Sequence, residues 1–96
     1  MKDEIEVLAD HAKKTEMNLI DENGVVVKTL SRKLLDTMTV SALKAMLAKF
    51  FKVEVLNQSI TYQALDDVEP LPIDNDLKQL SFFGFSEGGK LYVKSV

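Results

Sequence analysis

Met38-Thr39-Val40-Ser41-Ala42-Leu43-Lys44-Ala45-Met46-Leu47-Ala48-Lys49-Phe50-Phe51-Lys52 is the stretch that decides the fold. Its apolar positions Val40, Leu43, Met46, Leu47 and Phe50 fall on one stripe of an α-helix. Thr39 stands at the N-cap, where its hydroxyl can accept from a first-turn N–H that has no partner inside the helix. Met38 and Leu43 have the spacing of a hydrophobic staple, while Ala42 occupies the place where a Glu or Gln would complete a capping box. Phe50 and Phe51 are neighbours, so a helix does not bury both equally; Phe50 follows the stripe and Phe51 is expected at its edge. One principal helix near 39–52, apolar on one side, needs another layer to cover it.

That layer is read from the flanks. Met17-Asn18-Leu19-Ile20 is a strand, and Asp21-Glu22-Asn23-Gly24 is a turn. Asn-Gly between apolar runs signals a tight hairpin whose two central residues both take positive φ. Val25 opens a long second strand that runs towards Leu34 or Leu35. After the helix, Ile60-Thr61-Tyr62-Gln63 alternates as a short strand, and the proline-bearing segment 66–72 is expected to be loop. Residues 74–80 suit a short helical turn capped by Asp74 or Asn75. Glu87-Gly88-Gly89 is a turn in which glycine supplies positive φ, and Lys90-Leu91-Tyr92-Val93-Lys94 is the last strand. Ahead of all this, Ile5, Leu8, Ala9 and Ala12 have helical spacing, so residues 1–15 read as a partly helical connector and 16–96 as the domain.

The order is hairpin, helix, strand, loop with a turn, final strand. The first and last strands pair in the centre of the sheet and the helix crosses one face. This is an α+β β-grasp with a mixed sheet of four to five strands.

Composition narrows the function. The chain has 96 residues, 46% hydrophobic and 28% charged, with net charge −3 and no cysteine. One modest core is expected. The acidic balance argues against nucleic acid, whose partners present basic faces. No thiolate metal site or disulfide is available. The start Met1-Lys2-Asp3-Glu4 lacks a signal-peptide pattern and no apolar run is long enough for a bilayer, so the reading is cytoplasmic, with no membrane partner. His11 has no nucleophile partner in sequence and reads as a solvated histidine. The acidic run Asp66, Asp67, Glu69, Asp74, Asp76 lacks the glycine and closing Glu of a calcium loop and reads as solvated. No cofactor and no enzyme activity are expected.

A resemblance sharpens this. Leu34-Leu35-Asp36-Thr37-Met38-Thr39-Val40 running into Leu43-Lys44-Ala45-Met46-Leu47 carries it, together with Ile73-Asp74-Asn75-Asp76-Leu77-Lys78-Gln79-Leu80-Ser81-Phe82 and the close Glu87-Gly88-Gly89-Lys90-Leu91-Tyr92-Val93. In order and spacing the three resemble the C-terminal ubiquitin-like domain of the tubulin-folding cofactor E family, cofactor E-like proteins included. The resemblance implies a non-catalytic interaction domain of a cytoskeleton-associated chaperone that helps assemble and take apart the α/β-tubulin dimer. It also implies a larger chain with leucine-rich repeats and a glycine-rich domain, and partners among tubulin cofactors, tubulin and proteasome components. A monomer is expected. The alternative is a general ubiquitin-like adaptor that docks its host to the proteasome or a ubiquitin ligase.

Ubiquitin acts through a C-terminal diglycine and an apolar patch on its sheet. This chain ends Val93-Lys94-Ser95-Val96, and Gly88-Gly89 lies before the last strand. Thr61, Lys94 and Glu22 fall where the patch is apolar, so it is polar here. By alternation Leu19, Ile60, Tyr62, Leu91 and Val93 face the helix, while Asn18, Ile20, Thr61, Gln63, Tyr92 and Lys94 face away. The candidate protein-binding residues are therefore Ile20, Thr61, Gln63, Tyr92 and Lys94. Ile20 and Tyr92 are either the apolar centre of a binding surface or two apolar groups on a solvated face. Among Phe82, Phe83 and Phe85, one or two are expected in the core; in an extended segment Phe83 and Phe85 share a side.

Overall fold

The computed structural model describes residues 11–96. Its strands are β1 (Ala12–Ile20), β2 (Val26–Leu35), β3 (Gln58–Gln63), β4 (Leu71–Pro72) and β5 (Gly89–Ser95). The helix α1 spans Val40–Phe51, and 3₁₀ turns occupy Val55–Asn57 and Leu80–Phe83. The sheet runs β2-β1-β5-β3-β4, with β1 and β5 parallel at its centre and every other neighbour antiparallel. This is the expected β-grasp, with Met17 paired to Leu91 and Leu19 to Val93.

The helix starts where the Thr39 cap places it, because every orphan donor of its first turn finds an acceptor. Ala42 N donates to Thr39 Oγ1 at 3.2 Å and Leu43 N to the Thr39 carbonyl at 3.0 Å. Val40 N and Ser41 N donate to the Lys78 and Asp76 carbonyls, so the distant 74–80 segment completes the cap. At the other end Lys52 takes the left-handed conformation, φ 60°, and donates to the Ala48 carbonyl. The Lys28 ammonium reaches the Phe50 carbonyl at 3.2 Å, a cation at the negative end of the helix dipole.

The buried stripe of α1 is Val40, Leu43, Leu47 and Phe51. The expectation for the two phenylalanines is thereby reversed. Two successive steps of four from Leu43 lead to Phe51, whereas Phe50 sits at the margin, with the Arg32 guanidinium 4.9 Å above its ring. Against this stripe pack Met17, Ile60, Tyr62, Leu91 and Val93, all at most 3% exposed; Leu34, Val53, Ile73, Leu80 and Phe85 close the core, with Leu19 partly buried at its border.

Several expectations are corrected. In the connector only His11 among the described residues is helical: Ala12, Lys13 and Lys14 already form β1, paired with Leu35, Leu34 and Lys33. Thr15, placed in the connector, is fully buried. The rest of the connector, residues 1–10, lies outside the described residues. His11 is not simply solvated; its Nδ1 lies 3.0 Å from Asp36 Oδ1. At the first hairpin only Gly24 of the Asn23-Gly24 pair has positive φ, 80°. The Asp21 carboxylate accepts from Asn23 N and Val25 N, and this side-chain turn, with a register shift after Leu19, replaces the tight two-residue type.

The segment expected to be loop contains β4, whose Pro72 is tolerated because it lies on a sheet edge. Residues 75–78 form a turn, with Lys78 N donating to the Asn75 carbonyl and Asn75 Oδ1 accepting from Leu77 N, and the helical turn falls later, at Leu80–Phe83. Gly84, φ 77°, ends that turn, so Phe83 and Phe85 do not lie in one extended segment. Phe85 is buried and stacks on Tyr62 at 3.8 Å, Phe83 is partly buried and Phe82 remains exposed.

Candidate interaction surface

Alternation along a strand sends side chains to opposite faces, so the register fixes what the open face presents. One rung crosses all five strands on that face: Thr29, Asn18, Tyr92, Thr61 and Pro72, each opposite the next. The next rung holds Ile20 beside Lys94, with Ser59 beyond. On the other side lie Ser31, Glu16, Lys90 and Gln63.

Four of the five candidate residues therefore meet. Thr61 and Tyr92 are direct cross-strand partners, and Lys94 with Ile20 forms the adjoining rung. All four are partly buried, as expected of side chains on a crowded sheet face. Gln63 shares the face but is engaged elsewhere, its Nε2 donating to the Asp67 carbonyl at 3.1 Å.

Sequence reading overlooked the residue that organises this surface. Asn18 is only 4% exposed although it points away from the helix. Its Oδ1 accepts from Thr29 Oγ1 at 2.8 Å, and its Nδ2 donates to Glu16 Oε2 and to the Leu91 carbonyl. A buried amide with partners at both ends is held in place, and so are the side chains flanking Tyr92. The signal was present as an Asn inside an apolar strand, but the Thr29 partner depends on register.

Two of the five acids of the 66–76 loop are engaged. Asp67 Oδ2 accepts from Ala64 N, and Asp76 pairs with the Lys44 ammonium at 2.7 Å. Among the described residues no group of three or more acidic or imidazole side chains is placed to hold a metal ion. Gly88-Gly89 divides its work: Gly88 has φ 85°, whereas a Cβ on Gly89 would overlap the Tyr62 hydroxyl. That hydroxyl is fixed because it accepts from Ser86 N and donates to the Ser86 carbonyl. The hollows beside this corner measure about 190 Å³, lined by Gln63, Ala64, Leu65, Asp67, Gly88 and Lys90, and about 280 Å³, lined by Lys14, Glu16, Ser31, Gly88, Gly89 and Lys90. Both fall below the usual volume of a small-molecule pocket.

A family model described as the ubiquitin-like domain matches residues 11–96. Among solved structures, the C-terminal ubiquitin-like domain of mouse tubulin-specific chaperone E aligns at 24% identity and TM-score 0.71, over 88% of this chain and 89% of that one. The N-terminal ubiquitin-like domain of tubulin-binding cofactor B from Drosophila melanogaster aligns at 22% identity and TM-score 0.71, over 90% and 86%. The ubiquitin-like domain of Plasmodium falciparum Dsk2 aligns at 18% identity and TM-score 0.64, over 88% and 99%. No curated protein sequence matches.

Proposed function

The chain belongs to the ubiquitin-like domain family, and from that premise we infer that it is a non-catalytic protein-interaction module of a tubulin-folding cofactor. It contributes contacts during assembly and disassembly of the α/β-tubulin dimer, in the cytoplasm and in association with the cytoskeleton. The observation that carries this reading is the open sheet face. Where ubiquitin's patch is apolar, Thr61, Lys94 and Glu22 stand here, with Thr61 opposite Tyr92 and Lys94 beside Ile20. Receptors built for an apolar patch would have to desolvate those polar groups without partners. Tubulin cofactors E and B among the structural neighbours support the choice of system. So do the three sequence stretches that resemble the cofactor E family.

Tyr92 is the anchor of the surface, because aromatic side chains dominate interface energetics. Titration of the labelled domain with tubulin and with purified tubulin cofactors should shift Ile20, Thr61, Tyr92 and Lys94 resonances. Tyr92→Ala should weaken that binding by about 1–2 kcal/mol. Shifts confined to α1 or to 66–76 would refute the surface. The second reading is an adaptor that docks its host to the proteasome or a ubiquitin ligase; the alignment with the ubiquitin-like domain of Dsk2 shows that the fold is not confined to tubulin cofactors. That reading prevails if proteasomal receptors shift those resonances and tubulin and its cofactors do not.

A further inference from the structure

The charges of this acidic chain are segregated. Its strands carry Lys13, Lys14, Lys28, Arg32, Lys33, Lys90 and Lys94 against Glu16 alone, although acids outnumber bases 15 to 12 over the whole sequence. The cations concentrate on β1 and β2. Lys14 and Lys33 are direct cross-strand partners, an arrangement of like charges that costs stability unless an anion is added. Lys28 and Arg32 are held in position by the Phe50 carbonyl and ring. Four acids close by have other work: Asp21 binds turn amides, Asp36 lies against His11, Glu87 accepts from Lys14 N, and Glu16 holds Asn18 and lies 3.9 Å from Lys90.

The same strand is the free margin of the sheet. β2 is ten residues long, lies at the end of the strand order and, among the described residues, is paired along one side only; eight of its residues are exposed, Val26 and Val27 among them at 46% and 59%. An unpaired strand edge is a template for another extended segment. Its cations select the occupant. Two copies of β2 paired antiparallel about Leu30 would set Lys28 against Arg32, so a second copy is disfavoured by charge. An anionic lipid surface or a nucleic acid offers charge but no backbone to pair with the edge.

We propose that the outer edge of β2 takes up an acidic, extended peptide segment of a partner protein as a sixth strand, with Arg32 and Lys33 reading its carboxylates. The edge shares Thr29 with the open-face rung but none of Ile20, Thr61, Tyr92 and Lys94, so either surface stands or falls without the other. Backbone pairing supplies affinity and the cations supply charge selection and steering.

The test uses an eight-residue peptide of the repeat Val-Glu-Glu-Val, which in a strand presents carboxylates to both faces and so to Arg32 and Lys33 alike, titrated into the labelled chain, with amide hydrogen exchange measured in parallel. The expected result is slowed exchange and shifted resonances along residues 26–35. Binding should weaken as salt is raised. The double variant Arg32→Glu, Lys33→Glu should lose at least about tenfold in affinity, and Tyr92→Ala should leave it unchanged. Should the double variant not fold, Lys33→Glu alone should give the same direction. Unchanged β2 exchange at saturating peptide overturns the proposal. Equal binding of the corresponding valine–lysine peptide does so too, as do β2 shifts that follow protein concentration without peptide, which would assign the edge to a second copy. Shifts on anionic vesicles matching those of the peptide, without exchange protection, would assign it to a charged surface and likewise overturn it.

Discussion

The two faces of the sheet are built from the same strands in strict alternation, and they use opposite means of order. The face towards α1 holds Met17, Ile60, Tyr62, Leu91 and Val93, none more than 3% exposed, and its order comes from packing against Leu43, Leu47 and Phe51. The open face has no layer above it, and its one deeply buried side chain is Asn18, fixed by hydrogen bonds to Thr29, Glu16 and the Leu91 carbonyl. Packing energy scales with buried apolar area and tolerates no gap. Hydrogen bonding adds little net stability per bond but fixes direction. One face therefore sets whether the domain folds and the other sets what it presents.

The contrast is broken most severely on the packed side. Leu47→Ala should cost about 2–4 kcal/mol, from lost transfer energy and the cavity left under the helix. Chemical denaturation checks this, and an unchanged midpoint at constant m-value would remove Leu47 from the core. Gly89→Ala tests the opposite error, too much volume. The new methyl group meets the Tyr62 hydroxyl, which cannot swing away because its ring is stacked on Phe85 and its oxygen is held by Ser86. About 1–3 kcal/mol is expected, read from the same denaturation curves, with loss of the Tyr62–Phe85 ring contacts in the NMR spectrum.

Asn18→Ala asks whether the open face contributes to stability at all. Removing the amide leaves the Thr29 hydroxyl without its acceptor and the Leu91 carbonyl without this donor, for a cost of about 1–2 kcal/mol. A change within about 0.5 kcal/mol, the usual range for a surface substitution, would mean that water replaces the amide without loss. Tyr92→Ala should show the smallest effect on folding, within about 0.5 kcal/mol, because its ring faces away from α1. A melting temperature lowered as far as for Gly89→Ala would show that Tyr92 belongs to the fold and not to a contact surface.

Much of the packed side was legible beforehand. Thr39 caps the helix through its hydroxyl as read, and Leu43 and Leu47 are fully buried, because capping and helical periodicity involve residues a few positions apart. Strand alternation assigned Ile60, Tyr62, Leu91 and Val93 to the core for the same reason. The reading failed where two local patterns competed. Ala12 and its neighbours fit a helical spacing, but strand pairing with Leu35, Leu34 and Lys33 takes them. Phe50 fits the periodic stripe, but the buried line runs in steps of four through Leu43 and Leu47 to Phe51.

By itself the sequence determined what is local: the cap at Thr39, the helical stripe from Val40, alternation in β3 and β5, and a glycine at the positive-φ corner of Gly88. Tertiary structure alone decided what depends on residues far apart in the chain. Gly89 must lack a side chain because Tyr62 arrives from another strand. Asn18 is ordered by Thr29 across the hairpin and by Leu91 across the parallel pair. Lys14 meets Lys33 only through register, and β2 is the outermost of the described strands only because β1 pairs with β5 on its other side. The physical reason is range: propensity, capping and alternation act over one or two turns of chain, whereas a register sums many weak contacts and exists only once the sheet has closed.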